Sequence, residues 1–290
     1  MPSQSSCRRK LPPIRLVPAS HYTIDELVAA YNQSRVDYIV PMPMNAARLH
    51  EYVSNYDVDL EASAVAVADD EIVGIGMLGV RPNRTWITRL GVLPVKRRHG
   101  IGQRLMEYLI EKSRHLDVPY IILEVIKDNT PAERLFHKLG FLSVRELLII
   151  RRPPGSPTAT VGPYEFQMLG NQWALKLLEQ RRDNASWLTD TPSLNNAGNL
   201  SAMTVELRSG GRGWIAFQET TFQLRRLVLH TEQGDPHLVS LALLHALHTS
   251  HTNTDTAVEN IAADSPHWPA MQEMGYVESF RRIEMQLDLD

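Results

Sequence analysis

Apolar residues recur at Ile24, Leu27, Val28 and Tyr31, the period of a helix with one buried face. The short run 14–17 before them predicts a strand. Two further apolar runs, 62–68 and 72–80, flank the polar triplet Asp69-Asp70-Glu71 and predict two extended segments joined by a turn. A third extended segment, 85–93, leads into KRRHGIGQRLM, residues 96–106, after which Ile101, Leu105, Tyr108 and Leu109 line one helical face. YIILEVI, 120–126, is a β-branched run of the kind that forms a strand buried on both sides. It precedes NTPAERLFHKLGF, where Thr130 suits an N-cap, Pro131 the first helical position and Gly140 the stop. This order predicts an α/β domain whose sheet starts antiparallel and gains a parallel strand through a helical crossover.

RRPPGSPTATVGP, residues 151–163, carries four prolines and two glycines without a hydrophobic period and reads as a linker. It divides the chain into domains at 12–150 and 164–290. A length of 290 residues, 43% apolar and 22% charged, suits two packed cores.

Charge separates the halves. Residues 1–152 hold 21 Lys/Arg against 17 Asp/Glu, and 153–290 hold 9 against 16, so an anionic ligand should prefer the first half. The net charge of −3 argues against a general nucleic-acid binder. The single cysteine, Cys7, sits in a polar stretch, which excludes an intramolecular disulfide and suggests neither a nucleophile nor an ordered site. No apolar run approaches the length of a membrane span, and MPSQSSCRRKLPP lacks the apolar centre of a signal peptide. A cytoplasmic protein without membrane partners is expected.

The turn KRRHGIG places three cations before two glycines at the start of a helix. Glycine at positions 100 and 102 allows positive φ and close approach of another group, and the first helical turn carries unpaired N–H groups with partial positive charge. Such a turn either cradles an anion, most naturally a phosphate, or is a simple helix start with solvated cations. A P-loop is excluded because no Gly-Lys-Ser/Thr follows, and the third glycine of GxGxxG would fall on Leu105.

Three pieces occur in order: LGVLPVKRRHGIGQRLM, then LEV, then N-x-x-A-x-x-L-F-x-x-x-G-F. Together they resemble the GNAT superfamily of GCN5-related N-acetyltransferases over about residues 12–150. The resemblance implies a mixed central sheet flanked by helices and a donor, acetyl-CoA, with no metal. It implies that Arg97, Arg98, His99, Gly100, Ile101, Gly102 and Gln103 hold the pyrophosphate. Leu90, Gly91 and Val92 would offer backbone groups to the pantetheine arm from a strand that splays from its neighbour, and Asn129 would contact the cofactor arm. Acetyl transfer needs a base for the amine and a donor for the developing oxyanion. The Val92 N–H fits the donor, and Glu124 matches a glutamate used as base in some members; a strand-end carboxylate with a structural bond is the alternative. Phe136 departs from the pattern, since members that protonate the leaving thiolate usually do so with a tyrosine there. His137 would point about 100° away around the helix.

The second half repeats the first. Asn129, Gly140 and Phe141 recur as Asp264, Gly275 and Tyr276 at a constant spacing of 135, which also carries Glu124 onto Glu259 and the helix after the turn onto HLVSLALLHAL. KRRHGIG becomes TEQGDPH, 231–237, so Glu232 and Asp235 would repel a phosphate. A degenerate second GNAT-like domain without acetyl-CoA is expected, giving two tandem domains in a pseudo-dimeric monomer or a homodimer. His245, His248 and His251 fit a polar helix face better than a metal site, and Trp187, Trp214 and Trp268 fit a core or interface. The acceptor, an amine of a small molecule or peptide, would lie against Tyr38, Met42 and Met44. The competing expectation is an acyl-CoA-binding regulatory or scaffold protein without turnover.

Overall fold

The structure, a computed structural model, describes residues 13–289; Cys7 lies outside them. The chain divides into two compact units, Met1–Leu123 with Arg134–Leu142 and Gln286–Asp290, and Glu124–Glu133 with Ser143–Met285.

In the first unit β1 (Arg15–Pro18) precedes α1 (Ile24–Ser34), which starts where the sequence supplies a reciprocal cap. The Thr23 side chain accepts from the Glu26 N–H while the Glu26 carboxylate accepts from the Thr23 N–H. A second helix, α2 (Ala46–Asn55), was not predicted: it buries Leu49 and Tyr52 but has no sustained apolar period. Asn45 caps it by accepting from the Arg48 N–H. Strands β2 (Val58–Ala68), β3 (Glu71–Arg81) and β4 (Arg84–Val92) form an antiparallel meander, and β1 pairs with β2. Helix α3 (Ile101–His115) packs on β2, β3 and β4, burying Ile101, Leu105, Met106, Leu109 and Ile110. It crosses over to β5 (Tyr120–Ile126), which lies parallel to β4, as predicted.

Two departures from regularity shape β4. Arg89 takes φ 54, and the β3–β4 register shifts between Ile75 and Met77, so one residue bulges out of the ladder. The β4–β5 pairing covers only Thr85–Ile87 against Ile121–Leu123, while β4 continues to Val92. Leu93 N–H bonds Val73 O, so the adjacent pair Gly74–Val92 is the non-hydrogen-bonded one and the Val92 N–H faces away from β3.

After α4 (Thr130–Lys138) come β6 (Leu142–Arg152), β7 (Tyr164–Leu169), α5 (Asn171–Glu179), α6 (Thr191–Ala197), β8 (Leu200–Leu207), β9 (Arg212–Glu219) and β10 (Gln223–Gln233). Helix α7 (Pro236–Ser250), β11 (Asp255–Ala262), α8 (Trp268–Glu273) and β12 (Val277–Asp288) complete the chain. Residues 153–163 form neither helix nor strand, whereas Arg151 and Arg152 end β6. The strand order within the second unit is β12-β6-β11-β10-β9-β8-β7. Its larger core joins α7 and α8 to one sheet face around Phe217, Leu243, Leu247 and Met271. The other face holds Leu178, Leu194, Trp214 and Val228 under α5 and α6. Trp187 and Trp214 are fully buried, and Trp268 packs on the larger core.

The order β10-α7-β11-α8-β12 repeats β4-α3-β5-α4-β6. The repetition reaches irregular positions: Arg226 takes φ 57 in β10 as Arg89 does in β4, and Gly275 takes φ 89 as Gly140 takes φ 94. Strand β10 pairs in parallel with β11 only over Gln223–Arg225 against Asp255–Ala257, so it too diverges after its bulge. The fold is α/β, two tandem GNAT-like domains with mixed sheets flanked by helices.

Candidate functional site

The turn ahead of α3 carries no side chain on its free N–H groups. Gly100 is the N-cap with φ 79, and a Cβ built there would meet nothing within 4 Å. The first helical bond is Arg104 N–H to Gly100 O, so the N–H groups of Ile101, Gly102 and Gln103 precede it, and none meets a protein acceptor among the described residues. Ile101, 1% exposed, anchors this end in the core, while the Gln103 side chain is bonded to Glu107 and Lys138. The second residue with positive φ is Arg98 (φ 65), not Gly102, which lies inside α3. Gly102 therefore contributes a bare surface, not an unusual backbone angle.

Arg97 is committed elsewhere. Its guanidinium donates to both Asp37 oxygens at 2.7 Å, to Ser34 O at 2.9 Å and to Val92 O at 3.1 Å. The bonded guanidinium holds the Asp37 carboxyl below the usual carboxylate range. Arg97 thus ties the turn to the end of α1 and to β4. His99 closes the turn by donating from Nδ1 to Arg97 O at 2.7 Å, and Arg98 remains exposed. An anion at the α3 N-terminus would meet backbone N–H groups with Arg98 beside them, and this arrangement fits a pyrophosphate.

Gly91 allows α1 to reach β4, because a Cβ there would lie 2.2 Å from the Ser34 Oγ. Beyond α1, Met44 is fixed by reciprocal bonds with the Asn32 side chain at 2.9 Å, and Met42 is half-buried in the same loop. Tyr38 lies under the Arg35 guanidinium, 4.2 Å from its ring centre, and Arg35 donates to Leu90 O at 3.2 Å. Sequence reasoning missed Arg35; its position relative to Tyr31, Tyr38 and Leu90 is set by tertiary packing and leaves no periodic trace.

Glu124 and Asn129 belong to the second unit, Phe136 and His137 to the first. Glu124, its side chain 5% exposed, accepts from Asn260 Nδ2 at 2.7 Å and from Arg282 Nη1 at 3.3 Å. Burial pushes its carboxyl up to about 7, against the pull of Arg282. Arg282 also donates to Asn260 Oδ1 and Glu259, and Asn260 takes φ 63 at the bulge in β11. Asn129 opens α4, its carbonyl accepting from Ala132 and Glu133, and its side-chain amide has no partner among the described residues. Phe136 is buried against Phe141, and His137 donates to Phe141 O from Nδ1.

The corresponding helix start in the second repeat differs. Asp235 caps α7 by accepting from the His237 N–H, and Pro236 has no N–H to offer. His245 bonds Tyr164, buried His248 bonds Tyr276, and His251 donates to Leu247 O. Among the described residues no group of three or more His, Cys, Asp or Glu could hold a metal ion. No helix among them is long and apolar enough to cross a membrane.

Residues 27–141 match the model of the acetyltransferase (GNAT) family. This part of the chain is a GNAT domain, as the motifs around Gly100 and Asn129 imply. A comparison with curated proteins gives no match. Among solved structures, a GCN5-related N-acetyltransferase from Sphaerobacter thermophilus is similar at 17% identity and a TM-score of 0.70, covering 96% of this chain and 97% of that one. A tandem GNAT protein from the clavulanic acid biosynthesis pathway matches at 15% identity and a TM-score of 0.62, covering 95% and 98%. A GCN5-related N-acetyltransferase from Kribbella flavida matches at 16% identity and a TM-score of 0.61, covering 96% and 71%. At these identities the likeness is one of fold, and it extends over both repeats.

Proposed function

We propose that the protein is an acetyl-CoA-dependent N-acetyltransferase of the cytoplasm, acting on an amine of a small molecule or peptide through its first GNAT domain. The observation that carries this reading is the uncapped start of α3, where the N–H groups of Ile101, Gly102 and Gln103 stand beside Arg98 without acceptors among the described residues. Acetyl-CoA, when bound, supplies the acetyl thioester. The α3 N–H groups hold its pyrophosphate, and the outward-facing Val92 N–H donates to the carbonyl oxygen as charge develops there. Glu124, with its carboxyl near 7, takes a proton from the acceptor amine directly or through a water. Asn129 supports the cofactor arm with its side-chain amide, and Tyr38, Met42 and Met44 line the acceptor side. The second domain, its helix start filled by Asp235 and Pro236, takes no CoA.

The test is release of free CoA thiol from acetyl-CoA in the presence of a panel of amines. Release above the rate without amine is expected. Phe136 favours one competing reading, binding of acyl-CoA without turnover, because a buried phenyl ring has no proton to give the thiolate. Saturable CoA binding with no thiol release across the panel would select that reading instead.

A further inference from the structure

We infer that the acceptor carries a carboxylate or comparable anionic group, and that Arg35 binds it. The inference rests on the reading of the first domain as an acetyltransferase and names the chemical class of its acceptor. Arg35 follows the last turn of α1, at the start of the loop that carries Tyr38, Met42 and Met44. Its guanidinium carbon lies 4.2 Å from the Tyr38 ring centre and 4.9 Å from that of Tyr31. Among the described residues its one hydrogen bond goes from Nη2 to Leu90 O, on the stretch of β4 that has parted from β5. Among the described residues its other donors meet no protein acceptor, and the Nε–H is in addition shielded from solvent.

No carboxylate lies within ion-pair reach of Arg35 among the described residues. The acid nearest in sequence, Asp37, is already held by Arg97 at 2.7 Å. Arg89 holds the Tyr31 ring in place beside Arg35, donating to the Tyr31 hydroxyl at 2.7 Å with its guanidinium 5.2 Å from the ring centre. A shielded Nε–H without an acceptor is costly, and the planar guanidinium fork matches a carboxylate in two-point contact. The Tyr31 and Tyr38 rings hold the guanidinium in place. A neutral amine would gain nothing from this group, and a basic peptide would be repelled by it.

The experiment uses the full chain saturated with CoA and measures binding of matched pairs by calorimetry: phenylalanine against phenylalaninamide, leucine against leucinamide, and 5-aminopentanoate against 5-aminopentanamide. The acid should bind at least about tenfold more tightly than its amide in one or more pairs, the worth of a charged hydrogen bond. Arg35→Gln, likewise saturated with CoA, should abolish that preference, and Arg35→Lys should retain part of it as a point charge. A purely structural Arg35 would alter the affinity of acid and amide alike. Equal binding of acids and amides by the wild type, a preference that survives Arg35→Gln, or no binding of any acid would each overturn the inference. Thiol release is followed in parallel. Arg35-dependent acid binding with no thiol release from any pair would remove the acetyl transfer and leave the anionic site, whereas turnover of amides alone would do the reverse.

Discussion

The guanidinium of Arg97 meets both carboxylate oxygens of Asp37 at 2.7 Å, and in the same pose it donates to the carbonyls of Ser34 and Val92. Both side chains of the pair are well exposed, at 40% and 51%, so screening leaves the ionic part weak. The two carbonyl bonds join three segments of the first domain.

Arg97→Met should accordingly lower the melting temperature measurably, whereas Asp37→Asn should barely move it. Thermal unfolding of the two variants side by side is the check. Equal losses would show that the charge pair, and not the carbonyl bonds, secures the turn.

The two glycines of the turn should behave oppositely. Gly100→Ala forces a side chain to φ 79 and should cost about 1–2 kcal/mol in urea unfolding, although space for the Cβ is open. Gly102→Ala sits in a helix, where its Cβ would make ordinary contacts of 3.6 Å with Leu135 and 3.7 Å with Val92. It should be neutral or stabilising by up to about 1 kcal/mol. A larger loss at Gly102 than at Gly100 would contradict the assignment of backbone angles.

Much of this domain is written in its local sequence. Gly100 and the cations before it mark the α3 start because that chemistry is carried by neighbours in the chain, and 120–126 is a strand as its β-branched run predicts. Helix α2 is not legible, since its buried face is only Leu49 and Tyr52 with the polar Asn55. The commitment of Arg97 to Asp37, sixty positions away, could not be read either. Asp235 was legible through the internal repeat, but its capping geometry was not: a carboxylate there both repels a phosphate and occupies the helix start. The partners of Glu124 lie more than 130 positions away, at Asn260 and Arg282, beyond any local pattern.

His248 is buried in the second domain and bonded to the Tyr276 hydroxyl at 2.9 Å; burial pushes its pKa down from 6.5 to about 3. The unfolded chain gains a proton here as pH falls below 6.5 while the native state does not. The stability this group contributes is therefore full above about 6.5 and is lost on acidification toward 3, with a slope of at most about 1.4 kcal/mol per pH unit. Urea unfolding of wild type and His248→Gln between pH 7 and 4.5 should show the wild type losing stability relative to the variant. A constant difference between them would mean that His248 takes up its proton as readily in the native state as in the unfolded chain.

Glu124 has the opposite sign. Its native carboxyl, raised from 4.5 to about 7, keeps a proton that the unfolded chain releases, so wild type should lose stability relative to Glu124→Gln as pH rises from 4.5 to 7. As general base it should in addition cost the variant roughly 10²–10⁴-fold in kcat at neutral pH, with recovery as pH nears the acceptor's own pKa. A variant with wild-type kcat and an unchanged pH–rate profile would make Glu124 a structural carboxylate in the Asn260–Arg282 network.

Calorimetric titration of the full chain with acetyl-CoA tests the central claim most directly. One site per chain is predicted, weakened at least about tenfold by Gly102→Ala, whose methyl group would stand against Val92 and Leu135 beside the α3 start, and unaffected by Asp235→Asn at the start of α7. Two sites per chain, or a single site that survives Gly102→Ala and responds to Asp235→Asn, would contradict it.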